Sequence, residues 1–163
     1  MSRRGDVIRG LYQSFADTLG PSRWWPAETP FEVAVGAILT QNTNWKNVER
    51  AIANLKEAGA MTESGLRALP PARLEELIQP AGYFRIKTKR LTDFLDFLEQ
   101  ESSLDLEALA AQDLYELRPK LLSVRGIGPE TADCILCYAL GKQTFVVDAY
   151  TVLMLGRHGL IPE

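Results

Sequence analysis

Apolar residues recur at three- and four-residue steps along almost the whole chain, and this periodicity is the strongest constraint on its fold. Val7, Ile8, Leu11, Tyr12, Phe15 and Leu19 mark one helical face, stopped at Gly20-Pro21. A Pro-bounded loop over 21–30 carries Trp24-Trp25-Pro26. Phe31 to Thr40 is nearly all apolar, the pattern of a helix buried on most sides. Asn44 to Ala58 is amphipathic through Val48, Ala51, Ile52 and Leu55. Thr62-Glu63 and Pro71 open two short helices. Gly82 precedes a long helix with Ile86, Leu91, Phe94, Leu95 and Leu98 assigned to its apolar side. Asp113 caps a helix to about Leu122, Pro129 starts one to about Leu140, and Asp148 caps the last after an extended Phe145-Val146-Val147. No segment offers paired strands, and no repeat or linker interrupts the pattern. The expectation is one all-α domain, residues 1–163, of roughly eight to ten short helices joined by short connections.

Composition removes several functional classes. The chain of 163 residues is long enough for a core, and no apolar run approaches the ~18 residues needed to span a bilayer. The basic N-terminus lacks the apolar stretch of a secretory signal. Two cysteines, Cys134 and Cys137, exclude a four-cysteine zinc site or iron–sulfur cluster within this sequence. They lie three apart in an apolar helical string, which favours inert thiols over a redox pair. The single histidine, His158, fits a helix end better than a metal site. With 18 basic and 21 acidic side chains the net charge is −3, so any case for nucleic-acid binding has to be local.

The most informative stretch lies between two helices, over 113–140. In Leu121-Leu122-Ser123-Val124-Arg125-Gly126-Ile127-Gly128-Pro129-Glu130-Thr131-Ala132, two glycines one residue apart let the chain reverse tightly. The amides after them point outward together and form a nest for a phosphate oxygen. Ile127 anchors the turn, and Ala132 lets the helices approach. Local geometry alone leaves an ordinary helix–helix turn equally open.

This stretch, with Val147-Asp148 beyond it, resembles the helix–hairpin–helix and catalytic aspartate of the endonuclease III-like (HhH-GPD) DNA glycosylase superfamily. The resemblance extends through Leu39-Thr40-Gln41-Asn42-Thr43 and Gly82-Tyr83-Phe84-Arg85-Ile86-Lys87-Thr88-Lys89-Arg90-Leu91, and covers about Trp24 to Gly159. It implies an all-α glycosylase domain acting on double-stranded DNA that holds a damaged base. Trp24-Trp25-Pro26 and Trp45 closely resemble the base pocket of bacterial 3-methyladenine DNA glycosylases. Aromatic faces suit a planar cationic purine, at about 0.5–2 kcal/mol per contact.

Asp148 lies 18 residues beyond Glu130, the family's spacing for the catalytic aspartate, and the resemblance gives it the oxocarbenium-like sugar and the attacking water. Lyase members carry a lysine at the Glu130 position. A carboxylate cannot form an imine, so hydrolysis without strand cleavage is implied.

The resemblance also implies that the target nucleotide is flipped, with Gln41 filling the gap and Tyr83 wedging the other strand. Arg85, Lys87, Lys89 and Arg90 are read as a phosphate-tracking patch, with Arg125, Gly126, Gly128 and Thr131 contacting DNA at the hairpin. The carbonyls of Leu122, Val124 and Ile127 are the expected holders of a structural K+ or Na+ ion, with no other cofactor required.

A cytoplasmic, nucleoid-associated bacterial monomer with no membrane partner is expected. The sequence ends 15 residues after Asp148, where relatives continue with helices that cover the N-terminal helix and, in some, carry an iron–sulfur loop. An exposed apolar face on the first helix is therefore expected, with three readings open: a truncated product, a remaining fold that suffices, or another subunit filling the gap. A non-catalytic helix–hairpin–helix DNA-binding fragment is the alternative of a different class. A glycosylase with AP lyase activity is the other alternative, opposed by Glu130.

Overall fold

The computed structural model describes residues 3–21 and 25–161. Every regular element among them is helical: α1 Arg3–Leu19, α2 Pro30–Leu39, α3 Trp45–Glu57, α4 Glu63–Ala68, α5 Pro71–Ile78, α6 Phe84–Ser102, α7 Leu106–Ala110, α8 Leu114–Ser123, α9 Pro129–Cys134 and α10 Ala149–Arg157. A 3-10 turn, Gln79–Ala81, precedes α6, and a π-helical segment, Ile135–Ala139, prolongs α9. The boundaries follow local chemistry. Thr29, Asn44, Thr62, Asp105, Asp113 and Asp148 each cap a helix by accepting a backbone N–H, and Pro30, Pro71 and Pro129 stand where no N–H is needed. Each such cap contributes about 1 kcal/mol.

The chain divides into two compact units, residues 1–26 with 148–163, and residues 27–147. The second is built around α2, whose residues Phe31 to Leu39 are all buried, as a helix apolar on every side must be. It packs on α3, α6, α7, α9 and the π-helical segment, while α5 bridges α3 and α6. Glu32 is the one acid on α2. It is ion-paired with Lys56 at 3.0 Å and accepts the Glu28 N–H, so its buried charge is matched. In the other unit α1 leaves Val7, Ile8, Tyr12, Phe15 and Leu19 exposed, and α10 leaves Tyr150, Val152 and Leu153 exposed.

Two expectations are corrected here. Periodicity placed Ile86 on the apolar side of α6, yet it is 53% exposed, and Lys87 takes the buried position. The helix α7 was not anticipated; its five residues are too few to show a period. Phe145 to Val147 belongs to no regular element and, as expected, pairs with no strand among the described residues.

Candidate DNA-binding face and catalytic aspartate

The helix–hairpin–helix comprises α8, the turn Val124 to Gly128, and α9. The turn closes through the Ile127 N–H on the Val124 carbonyl, 3.1 Å, with Ile127 and Ala132 buried. The two glycines do different work. Gly126 sits at φ +86°, and a Cβ there would lie 2.6 Å from Arg90 Cγ, so this position needs glycine twice over. Gly128 is extended, caps α9 and faces open space, so the expected relief of a clash at Gly128 is absent.

The hairpin is joined directly to Gln41. The Gln41 amide donates to the Gly126 carbonyl at 3.0 Å and to Thr131 Oγ1 at 2.9 Å, and its oxygen accepts from Arg90 Nη1. Thr131 is buried, so its role in this structure is to hold Gln41 rather than to present a hydroxyl to solvent. Tyr83 lies before α6 at φ +46° and is 67% exposed, preceded by Gly82 at φ +70°. A tyrosine in the left-handed region costs about 1–2 kcal/mol, so the fold holds this ring out against a local preference.

The basic patch is smaller than its sequence. Arg85, Lys89 and Arg125 are exposed. Arg85 also lies over the Phe84 ring and 3.9 Å from Glu75. Arg90 is half-buried against Gly126 and Gln41. Lys87 is corrected outright: it is 1% exposed, and Nζ donates to the carbonyls of Leu39 at 2.8 Å and Ala81 at 2.7 Å. Burial, with the charge of Arg90 second, pushes its pKa down to about 8. A group enclosed in this way cannot track a phosphate. The signal was in the periodicity, since positions 87, 91, 94, 95 and 98 share one helical face.

Asp148 is half-buried and caps α10. Its Oδ1 accepts the Thr151 N–H at 2.7 Å and the Thr151 hydroxyl at 2.8 Å. An open cavity of about 480 Å³ runs along α10, lined by Asp148, Tyr150, Thr151, Leu153, Met154, Arg157 and His158. Trp25 is half-buried and Pro26 exposed, and both belong to the same compact unit as Asp148. Trp24 lies outside the described residues. Trp45 opens α3 and donates its indole N–H to Glu49 at 2.9 Å.

Glu130 is exposed in the first turn of α9. The carbonyls of Leu122, Val124 and Ile127 are neutral, hard oxygen donors, a ligand type that suits hard cations. Val124 uses one lone pair within the turn and keeps a second. His158 rests on the Met154 carbonyl at the end of α10. Burial raises the pKa of Cys137, with Asp133 second, as for an unreactive thiol.

The profile of the HhH-GPD superfamily of base excision DNA repair proteins matches residues 35–163. The chain belongs to this superfamily. This HhH-GPD protein is 48% identical over 159 residues to a Methanocaldococcus jannaschii protein that carries the name of a DNA repair glycosylase, covering 97% of this chain and 72% of that one. Its fold is similar to that of the H. pylori 3-methyladenine DNA glycosylase MagIII bound to 1,N6-ethenoadenine, with TM-score 0.81 and 31% identity, over 98% of this chain and 76% of the other. It is similar in fold also to endonuclease III in a non-covalent DNA complex, with TM-score 0.78 and 20% identity, over 98% and 70% of the two chains. The HhH-GPD chain is thus a base excision repair DNA glycosylase. No described helix is long and apolar enough to cross a membrane.

Proposed function

We propose that this chain is a monofunctional glycosylase that hydrolyses the N-glycosidic bond of a flipped, alkylated purine of the 3-methyladenine type in duplex DNA. The observation that carries the substrate class is the similarity to the H. pylori 3-methyladenine glycosylase, which extends over nearly the whole chain. Glu130 supports hydrolysis over lyase chemistry, because an exposed carboxylate stands where an imine-forming amine would be needed.

In this reading Trp24, Trp25 and Pro26 stack on the cationic base. The C1′–N bond breaks with its electron pair passing to the purine, which leaves neutral and needs no protonation. Asp148, fixed in direction by Thr151, faces the developing positive charge on the sugar. Water bonds to C1′ and gives its proton to the Asp148 carboxylate. Gln41 fills the vacated stack and Tyr83 wedges the opposite strand. The hairpin amides receive a phosphate, the carbonyls of Leu122, Val124 and Ile127 would hold a monovalent cation that adds positive charge there, and Arg85, Lys89 and Arg125 contribute charge along the backbone.

The test is release of free 3-methyladenine from methylated duplex DNA, comparing the protein with Asp148→Asn at matched folding and DNA binding. Release that the substitution removes is the expected result. Release that survives it removes Asp148 from the chemistry, and no release from a folded, DNA-binding protein overturns the substrate class. Borohydride trapping should give no covalent protein–DNA adduct; an adduct overturns the monofunctional assignment.

A further inference from the structure

Lys87 holds two carbonyls that lie far apart in sequence and have matching positions. Leu39 lies two residues before Gln41, and Ala81 lies two residues before Tyr83. One buried ammonium therefore ties the roots of the two segments assigned to DNA insertion. We propose that Lys87 is a positioning residue for DNA insertion, yoking the Gln41 and Tyr83 segments so that both side chains enter the duplex as one unit. This rests on the insertion roles given to Gln41 and Tyr83 above.

Three further observations carry it. Both segments leave regular geometry just beyond the tied carbonyls: Asn42 is at φ +54°, Gly82 at +70° and Tyr83 at +46°. Segments in such conformations need external ties to hold one geometry. Lys87 also occupies the apolar stripe of α6 with Leu91, Phe94, Leu95 and Leu98, all buried. An aliphatic side chain would fill that position without desolvating a charge, so packing does not account for an amine there. Finally, Arg90 lies one turn further along α6 and holds the Gln41 side chain itself. The side-chain bonds of Gln41 to Arg90, Gly126 and Thr131 are exchanged for the duplex on insertion, while the Lys87 tie at the Leu39 carbonyl stays in place and keeps the backbone root where it is.

The experiment uses a duplex with a tetrahydrofuran abasic analogue opposite 2-aminopurine, which reads insertion without any base excision. Stopped-flow fluorescence gives the insertion rate, and anisotropy gives Kd for undamaged duplex. Lys87→Met, folded by circular dichroism and measured well below its Tm, should insert at least fivefold more slowly, with Kd for undamaged duplex within threefold of the parent. Gln41→Ala and Tyr83→Ala should each reduce the fluorescence change.

A Lys87→Met insertion rate within fivefold of the parent overturns the proposal. So does a loss of Kd as large as the loss of rate, which marks general structural damage. If Lys87→Met does not fold, Lys87→Gln is measured against the same thresholds; if neither folds, the lysine serves folding and the proposal falls. If Gln41→Ala and Tyr83→Ala leave the signal unchanged, the insertion roles fail and the proposal falls with them, whereas base release tests the glycosylase reading separately.

Discussion

Replacing Lys87 with methionine should remove a distinctive pH dependence from the stability of this chain. The amine is buried on the carbonyls of Leu39 and Ala81, and its pKa in the folded chain is lowered from 10.5 to about 8. Below about pH 8 the group is charged in both folded and unfolded chains, and the folded state bears the whole desolvation cost. Between about 8 and 10.5 the folded amine is neutral while the unfolded one is still charged, so unfolding takes up a proton. Stability from this group therefore rises with pH, by up to about 1.4 kcal/mol per unit. Across the window the gain is about 3 kcal/mol.

The neutral amine still has two N–H groups for its two carbonyls, so those bonds survive deprotonation. In Lys87→Met both carbonyls are left unpaired, at about 1–3 kcal/mol each, and the desolvation cost disappears. At pH 7 these terms oppose each other; near pH 10 only the loss remains. Urea unfolding of both proteins at pH 7, 8, 9 and 10 measures the difference, and titrations common to both cancel. The stability of the parent minus that of the variant should climb by about 2.5 kcal/mol from pH 7 to pH 10. A difference that stays flat, or that falls with pH, refutes the buried-ammonium argument.

Gly126→Ala forces a Cβ onto the Arg90 side chain at a positive φ, and should cost about 1–3 kcal/mol by urea unfolding; an unchanged midpoint would contradict the observed turn. Asp148→Asn keeps an acceptor for the Thr151 N–H, so stability should change by less than about 0.5 kcal/mol while base release falls at least ~100-fold. Equal losses of stability and turnover would give Asp148 a structural role only. Arg125→Ala and Lys89→Ala should each lower the slope of log K against log salt by about 1 in DNA-binding titrations, and an unchanged slope removes that residue from the phosphate track. Trp25→Ala should reduce preference for a cationic over a neutral alkylated base by about 3–30-fold in competition assays, as the loss of one cation–π contact requires. Unaltered preference would remove Trp25 from the pocket.

The all-helical fold was legible because its signals are local. Caps such as Asn44 and Asp148, the prolines opening α2, α5 and α9, and the apolar spacing of α3 act within a few residues. The five-residue α7 escaped for the same reason, since one turn and a half shows no period. At the candidate site, the sequence singled out Gln41, Tyr83, Gly126 and Asp148 as a pattern. It gave no hint that Gln41 is held by Arg90, Gly126 and Thr131.

The partners of Lys87 and the placement of Arg90 show where the sequence stops. A run of basic residues on a helix reads as a solvated face, because charge ordinarily stays in water. What draws Lys87 inward is a carbonyl at the end of α2, where a helix leaves its last acceptors unpaired, together with one from the turn before α6. What draws Arg90 inward is the oxygen of Gln41, and the missing Cβ at Gly126 leaves room for its side chain. The order and kind of the helices, the hairpin and the family pattern come from residues close together in the chain. Which cations stay exposed and which hold the protein together depends on acceptors contributed by distant helices, and only tertiary packing brings those within hydrogen-bonding range.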